Sequence, residues 1–236
     1  MEIPTAVTRA ARALIAGALL VATSHAQFHL RAERYGGQAQ QQGGSHPARL
    51  FPPSDLGLLD APDRDLWQRP DQIMDALGIA DGSVVADIGA GSGWFTIRLA
   101  RRVGPQGLVY AEDVQKEMIN AISRRVGREG LANVRAVLGQ KNDPNLPARS
   151  IDAVLVVDAY HEIENRVTVL RNLARALKPQ GRIGVIDFRL DGTGPGPLIE
   201  ERVSPDVVVK DATEAGLRLI RQEPFLPFQY FLIFGK

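Results

Sequence analysis

Val84-Val85-Ala86-Asp87-Ile88-Gly89-Ala90-Gly91-Ser92-Gly93-Trp94-Phe95 is the stretch that decides the fold of this 236-residue chain. Its apolar start, with two adjacent valines, reads as a buried strand. Three glycines at alternate positions then form a turn, and Gly93–Val103 follows with helical spacing. Glycine lets the backbone turn tightly and approach a ligand with no Cβ in the way. In open α/β sheets the ligand crevice lies at the carboxyl ends of the strands, where this turn sits.

Outward from that turn, strand and helix alternate. Strands are expected at Ser83–Ile88, Leu108–Ala111, Val134–Leu138, Ile151–Val157, Arg182–Asp187, Leu217–Arg221 and Gln229–Phe234. Helices are expected at Gln115–Arg128, Glu162–Leu177 and Pro205–Gly216, with a further one over Asp63–Leu77 that Pro70 starts anew or kinks. Ile151–Val157 is continuously apolar, so both of its faces should be buried. Such alternation predicts an α/β fold, a doubly wound, Rossmann-like seven-stranded sheet that is mainly parallel. The last two strands, joined through Pro224 and Pro227, suggest a hairpin, which makes the final strand antiparallel.

Formal net charge is +1, from 28 basic and 27 acidic residues. So even a balance argues against a polyanion-binding surface, and no nucleic-acid partner is expected. The chain has no cysteine, which excludes a disulfide framework, a thiolate zinc site and a cysteine nucleophile. Three of its four histidines (His25, His29, His46) precede the domain, so a histidine metal cage is excluded there too. Arg9 and Arg12 flank the apolar run Ala13–Ala22, and Ser24-His25-Ala26 precedes Gln27. Basic flank, short apolar core and small residues at the cleavage point make up an export signal over residues 1–26, and so a periplasmic or secreted protein; the alternatives are an amphipathic or buried N-terminal helix and a cytoplasmic or membrane-tethered protein. That run is short of the roughly 20 residues a membrane-spanning helix needs, so no stable span is expected after signal removal. Residues 27–60, rich in Gly, Gln and Pro, read as a flexible linker, and 61–236 as the functional domain with its leading helix at 63–77.

A nicotinamide-binding fold uses a similar glycine turn, and spacing separates the two. The dinucleotide fingerprint G-x-G-x-x-G/A puts a small residue third, for close helix–strand packing. Here that place falls on Trp94. The actual spacing, D-x-G-x-G-x-G from Asp87, resembles the first motif of class I S-adenosylmethionine-dependent methyltransferases. The resemblance runs from about Met74 to Lys236 and includes Leu177-Lys178-Pro179-Gln180-Gly181, which is similar to the family's L-K-P-G-G turn.

What the resemblance implies is S-adenosylmethionine as cofactor and methyl transfer as activity. Asp87, Gly89, Ala90, Gly91 and Gly93 would wrap its amino-acid end. An acid at the next strand end would accept the ribose hydroxyls; Asp113 is favoured, with Glu112 the alternative. The segment Gly139–Pro147 would meet the adenine through Gln140, Asn142 or Asp143. Asp158 would touch the cofactor's amino group or the acceptor.

Tyr160-His161-Glu162 follows the fourth strand, which in that family borders the transferable methyl. His161, the only histidine of the domain, is the candidate to orient or deprotonate an acceptor, with Asp158 beside it and Tyr160 as a wall. Asp158 and Asp187 stand at positions that carboxylate-bound magnesium would use, though no metal is expected. Asp191–Leu198 is too Gly/Pro-rich for regular structure and reads as a mobile acceptor cover. The acceptor is expected to be a small molecule. A cofactor-binding protein without turnover is the competing reading, and a nicotinamide oxidoreductase, disfavoured by Trp94, a third. Export would also require a cofactor supply outside the cytoplasm. Mass spectrometry of the protein from an exporting host is expected to find Gln27 at the mature N-terminus; an uncut Met1 would count against the signal.

Overall fold

A computed structural model describes residues 49–236, so the export signal and residues 27–48 of the linker lie outside the described residues. Seven strands form one sheet in the order β3-β2-β1-β4-β5-β7-β6. They are β1 (Val84–Ile88), β2 (Leu108–Asp113), β3 (Val134–Leu138), β4 (Ile151–Val157), β5 (Leu177–Phe188), β6 (Arg218–Glu223) and β7 (Gln229–Gly235). β1 pairs in parallel with β2 on one side and β4 on the other. β7 slots between β5 and β6 and runs antiparallel to both. The doubly wound sheet read from the sequence is therefore the observed one, with its reversed strand where the hairpin predicts it.

Among the described residues six α-helices accompany it: α1 (Arg64–Gln68), α2 (Pro70–Ala76), α3 (Trp94–Val103), α4 (Lys116–Arg128), α5 (Arg166–Ala176) and α6 (Pro205–Glu214). Each core face takes its apolar stripe from particular helices. On one face Val169, Leu170 and Leu173 of α5 and Val208 and Ala212 of α6 pack on Val154, Val156, Ile183 and Val185. On the other, Ile73 and Met74 of α2 and Phe95 and Leu99 of α3 cover Val85, Leu155, Ile186 and Phe231. Burial on both faces explains why β4 has no polar/apolar alternation. Its one partly exposed residue, Asp152, accepts hydrogen bonds from the Val84 amide (2.9 Å) and Lys178 Nζ (2.7 Å).

Two expectations are corrected and one alternative is decided. Of the two readings for Pro70, the new start holds: 63–77 carries two helices, parted at Arg69, whose φ is 48°. Proline disfavours the α region for the residue before it and lacks an N–H, so Pro70 restarts the helix as its first residue. The helix expected from Glu162 begins at Arg166 instead, because Tyr160–Glu162 makes a 3-10 turn that ends at extended Ile163. The linker does not reach residue 60: Pro53–Asp60 forms 3-10 turns in which Leu56, Leu58 and Leu59 are partly buried.

The Gly/Pro-rich loop after β5 is irregular, as expected, but fastened. Arg202 donates to the carbonyls of Pro197 (2.9 Å), Arg189 (2.7 Å) and Thr193 (3.1 Å). Its guanidinium also stands 5.3 Å from the Phe188 ring centroid.

Candidate functional site

The chain leaves β1 toward β2 and β3 in one direction and returns to β4 and β5 in the other, so the crevice opens between the tips of β1 and β4. Gly89, Gly91 and Gly93 all have left-handed backbones, with φ of 65°, 55° and 77°. A side chain at two of these positions meets more than backbone strain. A Cβ on Gly89 would stand 2.6 Å from the Ala159 Cβ, just past β4, and one on Gly91 would stand 2.9 Å from Leu59 Cδ1. The loop is thus pressed between β4 and the segment that precedes the domain's helices.

Beneath the loop, Asp87 is buried and accepts a 2.6 Å hydrogen bond from Thr96 Oγ1 in α3. Burial raises its carboxyl to about 6, with Thr96 acting against the rise. Trp94 has work of its own. The Arg64 guanidinium lies 4.4 Å from its ring centroid and that of Arg98 3.6 Å. Cation–π stacking, not close helix–strand contact, occupies this position.

The two acids at the β2 tip divide sharply. Asp113 accepts hydrogen bonds from the Gly91 amide (3.0 Å) and the Gln115 amide (2.9 Å), placing its carboxylate against the glycine loop. Glu112 is folded against Gly139, where its own carboxyl fills the space a Cβ would need. Burial and the neighbouring Asp113 raise Glu112 to about 8, so it is largely neutral at pH 7.

In the loop after β3, Gln140 and Asp143 close a tight turn through two backbone hydrogen bonds (2.8 and 3.1 Å). Asn142 is turned away, its side-chain oxygen receiving Asn165 Nδ2 at 2.6 Å and its carbonyl Asn172 Nδ2 at 2.7 Å. Asp143 accepts from the Asn145 amide at 3.0 Å. Of these three side chains, that of the exposed Gln140 makes no hydrogen bond among the described residues.

At the β4 tip Asp158 has φ 56°, unusual for a side-chain-bearing residue and commonest at functional sites. Both of its oxygens are engaged: Arg64 Nη2 donates to one at 3.0 Å and Gln229 Nε2 to the other. Burial lifts this carboxyl to about 7 against the pull of Arg64. Asp158 therefore holds α1 to the sheet.

His161 and the fully buried Asp187 are brought together. Nδ1 lies 2.9 Å from Asp187 Oδ2, and the His161 backbone amide donates to the same oxygen at 3.0 Å. Burial alone would lower the imidazole; Asp187, Glu162 and Asp158 outweigh it and raise it to about 9. His161 is thus an imidazolium at neutral pH. Its Nε2 stands 3.8 Å from Glu162 Oε1. Tyr160 is fully buried and donates to Asp211 of α6 at 2.9 Å, which makes it a core residue and not a wall. Asp187 and Asp158 are each committed to a cationic partner, His161 and Arg64.

Sequence reasoning missed the contribution of residues 51–64. Asp60 accepts from Ser92 Oγ (2.9 Å) and Arg125 Nη1 (2.8 Å) across the glycine loop, and Glu162 Oε2 accepts the Phe51 amide at 3.0 Å. The signal available was Leu56, Leu58 and Leu59, apolar residues inside a supposed linker.

Comparison with known proteins follows the same lines. A family model described as a methyltransferase domain matches residues 85–181. Nocamycin O-methyltransferase of Saccharothrix syringae is 32% identical over 130 residues, 55% of this chain and 45% of that protein. A ubiquinone/menaquinone biosynthesis C-methyltransferase of Pasteurella multocida is also 32% identical, over 52% of this chain and 46% of its own length. The chain spans about half the length of the curated relatives it matches. A crystal structure of a SAM-dependent methyltransferase from Aquifex aeolicus superposes with a TM-score of 0.75 at 30% identity, covering 78% of this chain and 98% of that one.

The electrostatics predict a pH dependence. Glu112 rises from 4.5 to about 8 and His161 from 6.5 to about 9, both above their unfolded values. Each therefore stabilises the fold at low pH and loses that contribution as pH rises, Glu112 between about 4.5 and 8 and His161 between about 6.5 and 9. The thermal midpoint is expected to fall between about pH 6 and pH 9, and Glu112→Gln to flatten the lower part of that slope. A midpoint that climbs over this range would contradict the assignment.

Proposed function

The chain belongs to the class I S-adenosylmethionine-dependent methyltransferases, and from that premise we propose that it transfers a methyl group to a small-molecule acceptor at the crevice between β1, β2 and β4. The observation that carries the reading is the glycine loop. Its left-handed turns lie where a Cβ would strike Ala159 and Leu59, with the Asp113 carboxylate against the Gly91 amide. That cradle and its acid suit the amino-acid and ribose parts of the cofactor.

S-adenosylmethionine held there would supply an electrophilic methyl on a cationic sulfur that is its own leaving group. Gly89, Ala90, Gly91 and Gly93 would hold the amino-acid end, and Asp87 braces them from below through Thr96. Asp113 would accept the ribose hydroxyls; Glu112, turned under Gly139, is badly placed for them. Gln140 is favoured for the adenine, since Asn142 and Asp143 already have partners. Asp158 acts indirectly, by fixing Arg64 over Trp94.

His161, held at Nδ1 by Asp187, presents Nε2–H as a donor at neutral pH. In that state it orients an acceptor oxygen or nitrogen and favours negative charge on it; it takes up a proton only once it has itself lost one. Positioning and exclusion of water supply the rest, as suits a donor carrying its own leaving group. The small-molecule assignment is supported by relatives named for nocamycin and for ubiquinone/menaquinone biosynthesis, and by the near-neutral charge.

Asp113→Ala is expected to weaken S-adenosylmethionine binding about tenfold or more, the scale of losing hydrogen bonds to a charged group. An unchanged dissociation constant would remove the ribose assignment. His161→Ala is expected to lower kcat by about a hundredfold with cofactor affinity within about twofold. Full turnover would leave His161 with a structural role only.

A further inference from the structure

Phe51 is caught from both sides of the crevice. Its amide donates to Glu162 Oε2 at 3.0 Å, beyond the β4 tip, and its carbonyl accepts from Gln115 Nε2 at 2.9 Å, beyond the β2 tip. One residue thus bridges, through two successive peptide groups, two loops that the sheet holds apart with β1 between them. We propose that Glu162 and Gln115 are positioning residues that clasp Phe51 over the carboxyl edge, and that the clasp governs how long the cofactor or its demethylated product stays bound. The inference rests on the cofactor reading above.

The clasp is wired into the groups proposed to bind. The Gln115 amide donates to Asp113 Oδ1 at 2.9 Å, while the other Asp113 oxygen takes the Gly91 amide at 3.0 Å. One residue therefore fastens the strap and cages the ribose acid. On the opposite side Glu162 uses Oε2 for the strap and turns Oε1 toward His161, 3.8 Å from Nε2. Downstream, Leu59 covers Gly91, and Asp60 ties to Ser92 and Arg125 at 2.9 and 2.8 Å. Pro52 and Pro53 restrict the backbone in between, so the strap behaves as a stiff bar and not as a loose tail. A ligand lying from Asp113 to His161 sits under that bar, and the bar must lift for the ligand to leave. Both clasping side chains are partly buried, where a hydrogen bond counts for more than it does in water.

Two readouts test this, one of them in ligand-free protein. Hydrogen exchange should find the Phe51 amide protected in the wild type, less so in Glu162→Ala, and largely restored in Glu162→Gln, which keeps an acceptor oxygen. Stopped-flow release of S-adenosylhomocysteine should be about tenfold faster in Gln115→Ala and Glu162→Ala, with circular dichroism showing both folded. An unprotected Phe51 amide in the wild type would overturn the clasp without any variant. So would wild-type release rates in both alanine variants, leaving the cofactor reading intact. Wild-type protein that binds neither S-adenosylmethionine nor S-adenosylhomocysteine would sink the inference and the reading beneath it together.

Discussion

The rest of the site depends on one steric constraint, the missing side chain at Gly89. The exits of β1 and β4 converge so closely that Ala159 occupies the place a Cβ on residue 89 would take. The left-handed φ of 65° there turns the chain back into α3, aligning Gly91 with Asp113 and setting Trp94 between Arg64 and Arg98. A larger residue would push the loop off β4 and take the carboxylate, the clasp and the stacked tryptophan with it.

The second organising feature is buried negative charge. Asp87, Glu112, Asp113, Asp158, Glu162 and Asp187 crowd one edge of the sheet, and the carboxyls of the first five are raised above the usual carboxylate range. Burial is the largest cause for each of the five. Two cations, Arg64 and His161, are bound into this edge by ion pairs of 3.0 and 2.9 Å. Asp187, Glu162 and Asp158 together make His161 an imidazolium at neutral pH and not a free base.

The sheet, its order of elements and the glycine turn were legible because they depend on local rules: an apolar strand, alternate glycines, helical spacing. The position of Asp113 at the end of β2 was legible too, though not its hydrogen bond from the Gly91 amide. What escaped depends on contacts across long sequence separations. Nothing near Asp158 announces that Arg64, 94 residues away, claims its carboxylate. Nothing near Glu162 points to Phe51, 111 residues away. The linker boundary failed for the same reason: Gly, Gln and Pro dominate up to Pro53, while the three leucines that follow have no periodicity to mark them as packed. Tyr160 looked like a site residue by adjacency, and its hydroxyl turned out to serve α6.

The central claim, a crevice shaped for an adenosyl sulfonium compound, is tested most directly by calorimetric titration of the folded protein. Single-site heat with S-adenosylhomocysteine, and none with a nicotinamide dinucleotide, is the result the account predicts. No heat with either S-adenosylhomocysteine or S-adenosylmethionine would contradict it.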